Sequence, residues 1–413
     1  MKKRTFYWLQ IIVAATLLGL VIGKVVEHIR SSDDEKAKYI FLFIGDGMSI
    51  NQLAMTESWL SYKAGKVGGE TLTMTSLPVF GLSSTYTAEN QITCSAAAGT
   101  AISCGAKTSK GRIATDPEGN RLKSISYVLQ EEGYNIALLS ACPINHATEA
   151  AFYASNISRK NAYEITKAIP SSGFNFFAGS GFIDFYGKDG KSESSAEFLE
   201  RNGYKVCCGA KEYEEAAKTG EKIVFYQECF RNRSASDYKI NGKKAEGEVS
   251  LPQMLRYGLE CIGDDKPFFI MCEGGTIDWA AHLNKTMPTI NCIIEFDEAI
   301  ATAYEFYQKH PDETLIVVTS DHSTGGVSLG CRSCGKSAIN WEIMENAWNE
   351  AGQCNELNEE DNRNLNCAAN IGWCTPHHNG GYVPVFAIGK GAGRFSGRMD
   401  NTEIKGKILA EDN

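Results

Sequence analysis

The chain has 413 residues, 43% of them hydrophobic and 22% charged. That supports one large folded unit or two ordinary ones and excludes a disordered or fibrous chain. A formal net charge of −9 with no Lys/Arg-rich stripe argues against a specific nucleic-acid partner.

The one sharp basic cluster is Lys2, Lys3 and Arg4, followed by an apolar run over about 6–23. This is the order of an export signal, a basic region before an apolar one. No small-x-small triplet follows the run, which is long enough to span a bilayer. An uncleaved anchor with its basic end inside is therefore the alternative. Either reading sets 1–30 apart as signal or anchor and places residues 31–413 outside the cytoplasm, in the periplasm or facing it. All 14 cysteines lie after this segment, and an even count in an exported chain suggests disulfides. Cys331, Cys334, Cys354, Cys367 and Cys374 crowd one stretch, which reads as a stapled loop or a zinc ribbon. Connectivity stays open.

A polar stretch at 31–38 reads as a linker. Short apolar runs then follow at 39–44, 135–141, 267–272, 314–319 and 383–388, with a helix-like segment at 124–133 before the second. Continuous apolar runs alternating with helical segments predict an α/β fold, a mostly parallel sheet with helices on both faces. Two polar stretches, near 188–250 and 330–373, read as insertions over the rim of that sheet.

Ligands of such sheets bind beyond the carboxyl ends of the strands. Asp46, Glu273 and the pair Asp321–His322 all sit there in their runs. Asp278 and His282 are four apart, so a helix puts them on one face as half a zinc site. His378 stands just before the run at 383–388. Singly each is weak: an Asp-x-x-x-His is usually a solvated helix face, and an adjacent Asp-His usually a turn. Their shared placement at strand ends is what groups them.

Ser95 heads a run of small residues, Ala96-Ala97-Ala98-Gly99, and would sit at a helix N-terminus, where dipole and free N–H groups favour an anion. An N-cap serine on a buried Ala-rich helix is the plainer reading of that stretch alone. A serine hydroxyl needs a base or a metal to act as nucleophile, and the carboxylates and histidines above can supply metals. Arg159 has the fork to hold two phosphate oxygens.

With these motifs in this order the chain resembles the alkaline phosphatase family. They are Gly45-Asp46-Gly47-Met48; the Ser95 block running on to Gly105-Ala106-Lys107-Thr108; His146-Ala147-Thr148 with Arg159 following; Glu273 through Asp278 to His282; Thr319 through His322 to Gly326; and His378-Asn379-Gly380 ahead of Val383-Pro384-Val385. The resemblance implies phosphate-monoester hydrolysis by double displacement through a phosphoserine at Ser95, with Arg159 binding phosphate. It implies one zinc on Asp278, His282 and His378, a second on Asp46, Asp321 and His322, and magnesium on Asp46, Thr148 and Glu273. A homodimer is common in the family.

Cys94 stands where many members have an aspartate that orients the arginine, so Arg159 is expected to be held less firmly or differently here. His146 and Trp279 replace residues that tune the third metal in some bacterial members, which leaves magnesium or zinc open there. His377 beside His378 leaves a one-residue ambiguity, resolved toward His378 by its spacing to Val383. Related sulfatases need a C/S-x-P-x-R context that neither Cys94 nor Ser95 has. A phosphodiesterase is the enzymatic alternative, and Thr148 with Glu273 argues for a third metal and against it. An exported metal- or phosphate-binding protein without turnover is the non-enzymatic one.

Overall fold

Tyr39–Ile44 carries six apolar side chains in a row and is buried at every position. Its residues point alternately to two faces: Tyr39, Phe41 and Phe43 enter one hydrophobic cluster, and Ile40, Leu42 and Ile44 the other. A strand with two apolar faces has to be covered on both, and a central place in a layered α/β sheet does that. Each fully buried side chain of this size contributes about 1.5–3 kcal/mol.

The computed structural model describes residues 35–217, 219–232, 247–331, 337–353 and 356–411. The segment 1–30, expected to be signal or anchor, lies outside the described residues. Among the described residues no helix is long and apolar enough to cross a membrane.

In chain order the strands are β1 (Tyr39–Ile44), β2 (Val79–Ser84), β3 (Asn135–Ser140), β4 (Phe176–Gly179), β5 (Lys205–Cys208), β6 (Ile223–Tyr226), β7 (Phe268–Glu273), β8 (Thr314–Thr319), β9 (Ser323–Thr324), β10 (Ser328–Leu329), β11 (Ile371–Gly372), β12 (His378–Asn379), β13 (Val383–Gly389) and β14 (Gly397–Asp400). Ten form the central sheet, in the order β14-β2-β13-β8-β1-β7-β3-β4-β6-β5. Within it β13 runs antiparallel to β2 and β8, and the other pairings are parallel. The expected α/β sheet, mostly parallel and covered on both faces, is what forms.

Helices Ser95–Cys104, Ile125–Glu131, Ala147–Tyr153 and Glu403–Leu409 cover one face through Ala96, Ile102, Leu129, Phe152 and Ile404. Helices Ile50–Lys63, Leu251–Ile262 and Thr286–Lys309 cover the other through Leu53, Leu255, Ile293 and Phe296. Leu251–Ile262 shows how the local sequence does this. Ser250 caps it by accepting from Gln253 N, Pro252 fits its first turn, and Leu251, Met254, Leu255, Gly258 and Ile262 fall on the buried side.

The two polar stretches differ from one another. The described part of 330–373 forms helix Trp341–Glu350, which lies over helix Ile50–Lys63, and helix Glu359–Ala368 packed beside it; Trp341 meets Trp59 edge-on at 5.6 Å. The stretch 188–250, expected as a rim insertion, instead supplies β5 and β6 and extends the central sheet at one edge. β5 at the edge and β6 beside it are four residues each, too short to stand out within a polar stretch.

Candidate active site

Register brings three strand ends together. Ile44 at the end of β1 is the partner of Thr319 on β8 and of Glu273 on β7. Asp46 and Asp321 each follow two residues after their strand, so both project over the same edge as Glu273. The turn after Asp46 needs a glycine. Gly47 has φ 70°, and a Cβ there would come within 2.7 Å of Asp278 Oδ1 and 2.8 Å of Thr324 Oγ1. Gly47 N and His322 N both donate to Asp321 Oδ1, at 3.0 and 2.8 Å, which fixes that carboxylate and leaves Oδ2 to the site.

His322 lies between the two aspartates. Its Nε2 is 3.2 Å from Asp321 Oδ2 and 3.4 Å from Asp46 Oδ1, all fully buried. Ser95, the first residue of helix Ser95–Cys104, holds its Oγ 3.3 Å from the same nitrogen. Gly99 lets that helix approach closely: a Cβ there would lie 3.3 Å from Thr148 Cα and from Ala151 Cβ. This packs Thr148, on helix Ala147–Tyr153, against the helix that carries Ser95.

A second group forms around Asp278. Helix Thr276–His282 places His282 Nε2 3.3 Å from Asp278 Oδ2. The ribbon of β9 and β12 pairs His378 with Thr324, two residues beyond His322. His378 Nε2 is thereby 3.1 Å from His282 Nε2 and 3.7 Å from Asp278 Oδ1. Neighbouring His377 is exposed, and its carbonyl accepts from Gly325 N. His282 Nδ1 meets the carbonyl of Pro376 at 2.6 Å and His378 Nδ1 that of Thr93 at 3.1 Å, so each ring turns Nε2 toward the group.

A third group joins Asp46, Glu273 and His146. Ligand atoms of Asp278–His282–His378, of Asp46–Asp321–His322 and of Asp46–His146–Glu273 each lie within 4.8 Å of one another. The sequence marks His146 only as a neighbour of the third site, by its place before Thr148. Thr148 is fully buried near Glu273, and its Oγ1 makes no hydrogen bond of ordinary geometry.

Arg159 reaches the same place from the loop after helix Ala147–Tyr153. Its Nη2 donates to His146 Nε2 at 2.7 Å, and its backbone N donates to Gly111 O at 2.7 Å. Gly111 N in turn donates to Cys94 Sγ at 3.3 Å. Arg159 is thus held differently from an aspartate-bound arginine, by a ring and by a backbone relay that ends on Cys94.

The electrostatics of this cluster call for cations. Burial, then the neighbouring charges of Asp321, Asp278 and Glu273, push the Asp46 carboxyl far above the usual carboxylate range. Burial and Asp278 raise Asp321 to about 8. Burial raises Glu273 to about 7, against hydrogen bonding from Ser140. Burial would also raise Asp278, but His282 and the other imidazoles outweigh it and hold Asp278 low. Burial lowers His322 far below its ordinary value and, with Arg159, lowers His146 to about 3. Both Asp46 oxygens, Asp321 Oδ2, Glu273 Oε1 and His146 Nδ1 are buried without a hydrogen-bond partner. Orphaned acceptors at this density are costly unless a cation completes them. Oxygen and imidazole donors suit divalent metals, so these residues fit the metal sites that the sequence implies.

The family model for alkaline phosphatase matches residues 37–178 and 200–411. Alkaline phosphatase 3 of Bacillus subtilis (strain 168) is 29% identical, over 92% of this chain and 90% of its own. Alkaline phosphatase 4 of the same strain is 27% identical, over 91% and 88%. The solved alkaline phosphatase of the Antarctic bacterium TAB5 is 28% identical and superposes with a TM-score of 0.72, covering 91% of this chain and 98% of that one. A cold-active alkaline phosphatase from the psychrophile Shewanella sp. is 25% identical with a TM-score of 0.74, covering 90% and 99%. With matching sequence, matching fold and three candidate metal-binding groups at the strand ends, the chain belongs to the alkaline phosphatase family, whose members are phosphoric monoester hydrolases.

Proposed function

We propose that the protein is an exported alkaline phosphatase that converts phosphate monoesters to alcohol and inorganic phosphate through a phosphoserine at Ser95, with two zinc ions and one magnesium ion. The observation that carries this reading is the Ser95 hydroxyl at 3.3 Å from His322 Nε2, inside a ring of orphaned carboxylates. Asp278, His282 and His378 would hold one zinc, and Asp46, Asp321 and His322 the other. Asp46, Thr148 and Glu273 would hold magnesium, with His146 beside them. A histidine-to-aspartate variant of TAB5 alkaline phosphatase has Mg bound in its M3 site, which supports a divalent metal in the third place.

Zinc at the first two groups would supply Lewis-acid stabilisation of the serine oxyanion and of the leaving oxygen. The chain's own residues do the rest. Ser95 Oγ attacks phosphorus from the N-terminal end of its helix, where free N–H groups favour the developing anion. Arg159 holds two non-bridging oxygens with its fork and so orients the phosphoryl group in line. The ester oxygen leaves, and water then displaces Ser95 to release phosphate.

In the domain reading that accompanies this proposal, 1–30 is the signal or anchor and 31–413 the catalytic domain. A relative from Bombyx mori is named a membrane-bound alkaline phosphatase, which supports an anchored form. N-terminal sequencing of exported protein distinguishes a cleaved signal from an anchor. Metal analysis of purified protein, paired with turnover of an aryl phosphate before and after chelation, tests the rest. A protein that turns over fully when stripped of zinc and magnesium overturns this reading.

A further inference from the structure

The cysteine-rich stretch takes no part in the chemistry above, yet two of its thiols meet. Cys331 follows β10 after Gly330, and Cys367 lies in the last turn of helix Glu359–Ala368. Their Sγ atoms are 2.6 Å apart, across 36 positions of sequence. Backbone contacts hold the two sides in place without the sulfurs. Cys331 N donates to Asn370 Oδ1 at 2.7 Å, Gly330 N donates to Asn370 O at 2.9 Å, and Leu329 pairs with Ile371. Both cysteines are half-buried and line one cleft of about 350 Å³ with Asn362 and Asn366.

We propose that Cys331 and Cys367 form a disulfide that closes the neck of the 331–367 segment and braces the turn behind His282. The brace runs through helix Glu359–Ala368. Asn362 Nδ2 donates to the carbonyls of Leu283 and Asn284, at 3.2 and 2.9 Å, and Asn366 Nδ2 donates to Asn284 O at 2.9 Å. Asn366 Oδ1 accepts from Thr286 Oγ1 at 2.8 Å. Leu283 and Asn284 follow His282 directly, so a helix pinned at Cys367 limits how far that histidine can move. The bond forms by exchange with a low-molecular-weight disulfide. One cysteine thiolate attacks a sulfur of the reagent and releases one thiol. The second cysteine thiolate then displaces the other, so the two cysteines give up two electrons and two protons and the reagent leaves as two thiols.

The linkage stands apart from the metal chemistry, whereas its effect on zinc rests on the role proposed for His282. Full-length protein is treated with oxidised glutathione, desalted, denatured, alkylated without reduction, digested and mapped by mass spectrometry. The expected result is a peptide pair joined through Cys331 and Cys367 that separates on reduction. Recovery of both residues alkylated, or of either joined to Cys334, Cys354 or Cys374, overturns the proposal. Zinc release to a colorimetric chelator is then followed in oxidised wild type, in wild type reduced by a phosphine, and in the Cys331→Ser/Cys367→Ser variant. Loss of the brace should speed release about tenfold, the low end for lost support of metal ligands. Equal release from oxidised and reduced wild type overturns the brace. The peptide map decides the linkage even if His282 binds no zinc.

Discussion

The Ser95 hydroxyl oxygen lies 3.3 Å from His322 Nε2, the nitrogen that also faces Asp46 and Asp321. One atom therefore links the expected nucleophile to the expected second zinc site. Ser95→Ala removes the attacking oxygen but none of the metal donors. It should abolish covalent trapping of phosphate at low pH and cut turnover roughly a thousandfold or more, as loss of a nucleophile does elsewhere. Zinc content should stay near wild type. Phosphoprotein labelling of the variant at the wild-type level would exclude Ser95.

The two histidine groups should separate by mutation. His282→Ala and His378→Ala should each weaken one zinc ion by more than about tenfold, and His322→Ala the other. His377→Ala should leave zinc binding unchanged, because the His377 ring is exposed while His378 Nε2 lies 3.1 Å from His282 Nε2. Zinc titration of each variant checks this. A harmful His377→Ala beside a silent His378→Ala would reverse the assignment.

Metal-free protein should lose stability as pH rises from about 6.5 to about 8. Glu273 and Asp321 titrate at about 7 and about 8 in the folded chain, against about 4 when unfolded. The folded state therefore binds more protons than the unfolded state across this window, and stability falls with pH. Below about 6.5 the slope flattens, because His322 and His146 stay neutral when folded and take up protons when unfolded, which offsets the protons held by the raised carboxylates Glu273, Asp321 and Asp46. Bound metal should remove the loss by keeping the carboxylates ionised. Melting temperatures measured with and without zinc and magnesium test it; a flat metal-free profile over this window would be inconsistent with it.

Gly47→Ala should damage both fold and site. Its φ of 70° is strained for alanine, and the new Cβ would meet Asp278 Oδ1 at 2.7 Å. A cost of about 1–3 kcal/mol is expected from the backbone alone. Urea unfolding measures the stability, and zinc content measures the displaced Asp278. Wild-type values for both would mean that the loop relaxes.

Phosphate monoesters should outrun diesters. A monoester dianion offers three non-bridging oxygens, enough for Arg159 and both proposed zinc ions. A diester has two and adds a substituent near Thr148 and Glu273. Losing one charge-assisted contact costs about 1.5–3 kcal/mol, or more than about tenfold in rate. Sulfate esters, with one negative charge, should also be poor. A metal-loaded enzyme that hydrolyses a bis-aryl phosphate faster than the mono-aryl phosphate would contradict this.

The central strands were legible because burial on both faces makes them apolar throughout. β1 and β8 fall at 39–44 and 314–319, as expected, and β7 begins one residue later than its apolar run. The strands at the far end of the sheet escaped, because edge strand β5 and its neighbour β6 hold four residues each within a polar stretch. Asp278 and His282 could be paired from spacing alone, since four residues is one helical turn. The approach of His378 could not: it depends on β12 pairing with β9, 54 positions away, and ribbons of two residues leave no periodicity to detect. The hold on Arg159 was also hidden. Loss of the usual aspartate at Cys94 signals a change, but only packing decides that His146 Nε2 takes the guanidinium while Cys94 reaches it through Gly111. Sequence alone determined which residue types the site contains, because their chemistry and order are local properties of the chain. Tertiary structure decided which of them lie within reach of one another, because distances between loops from different strand ends are set by sheet register and by the packing of Ala- and Gly-rich helices.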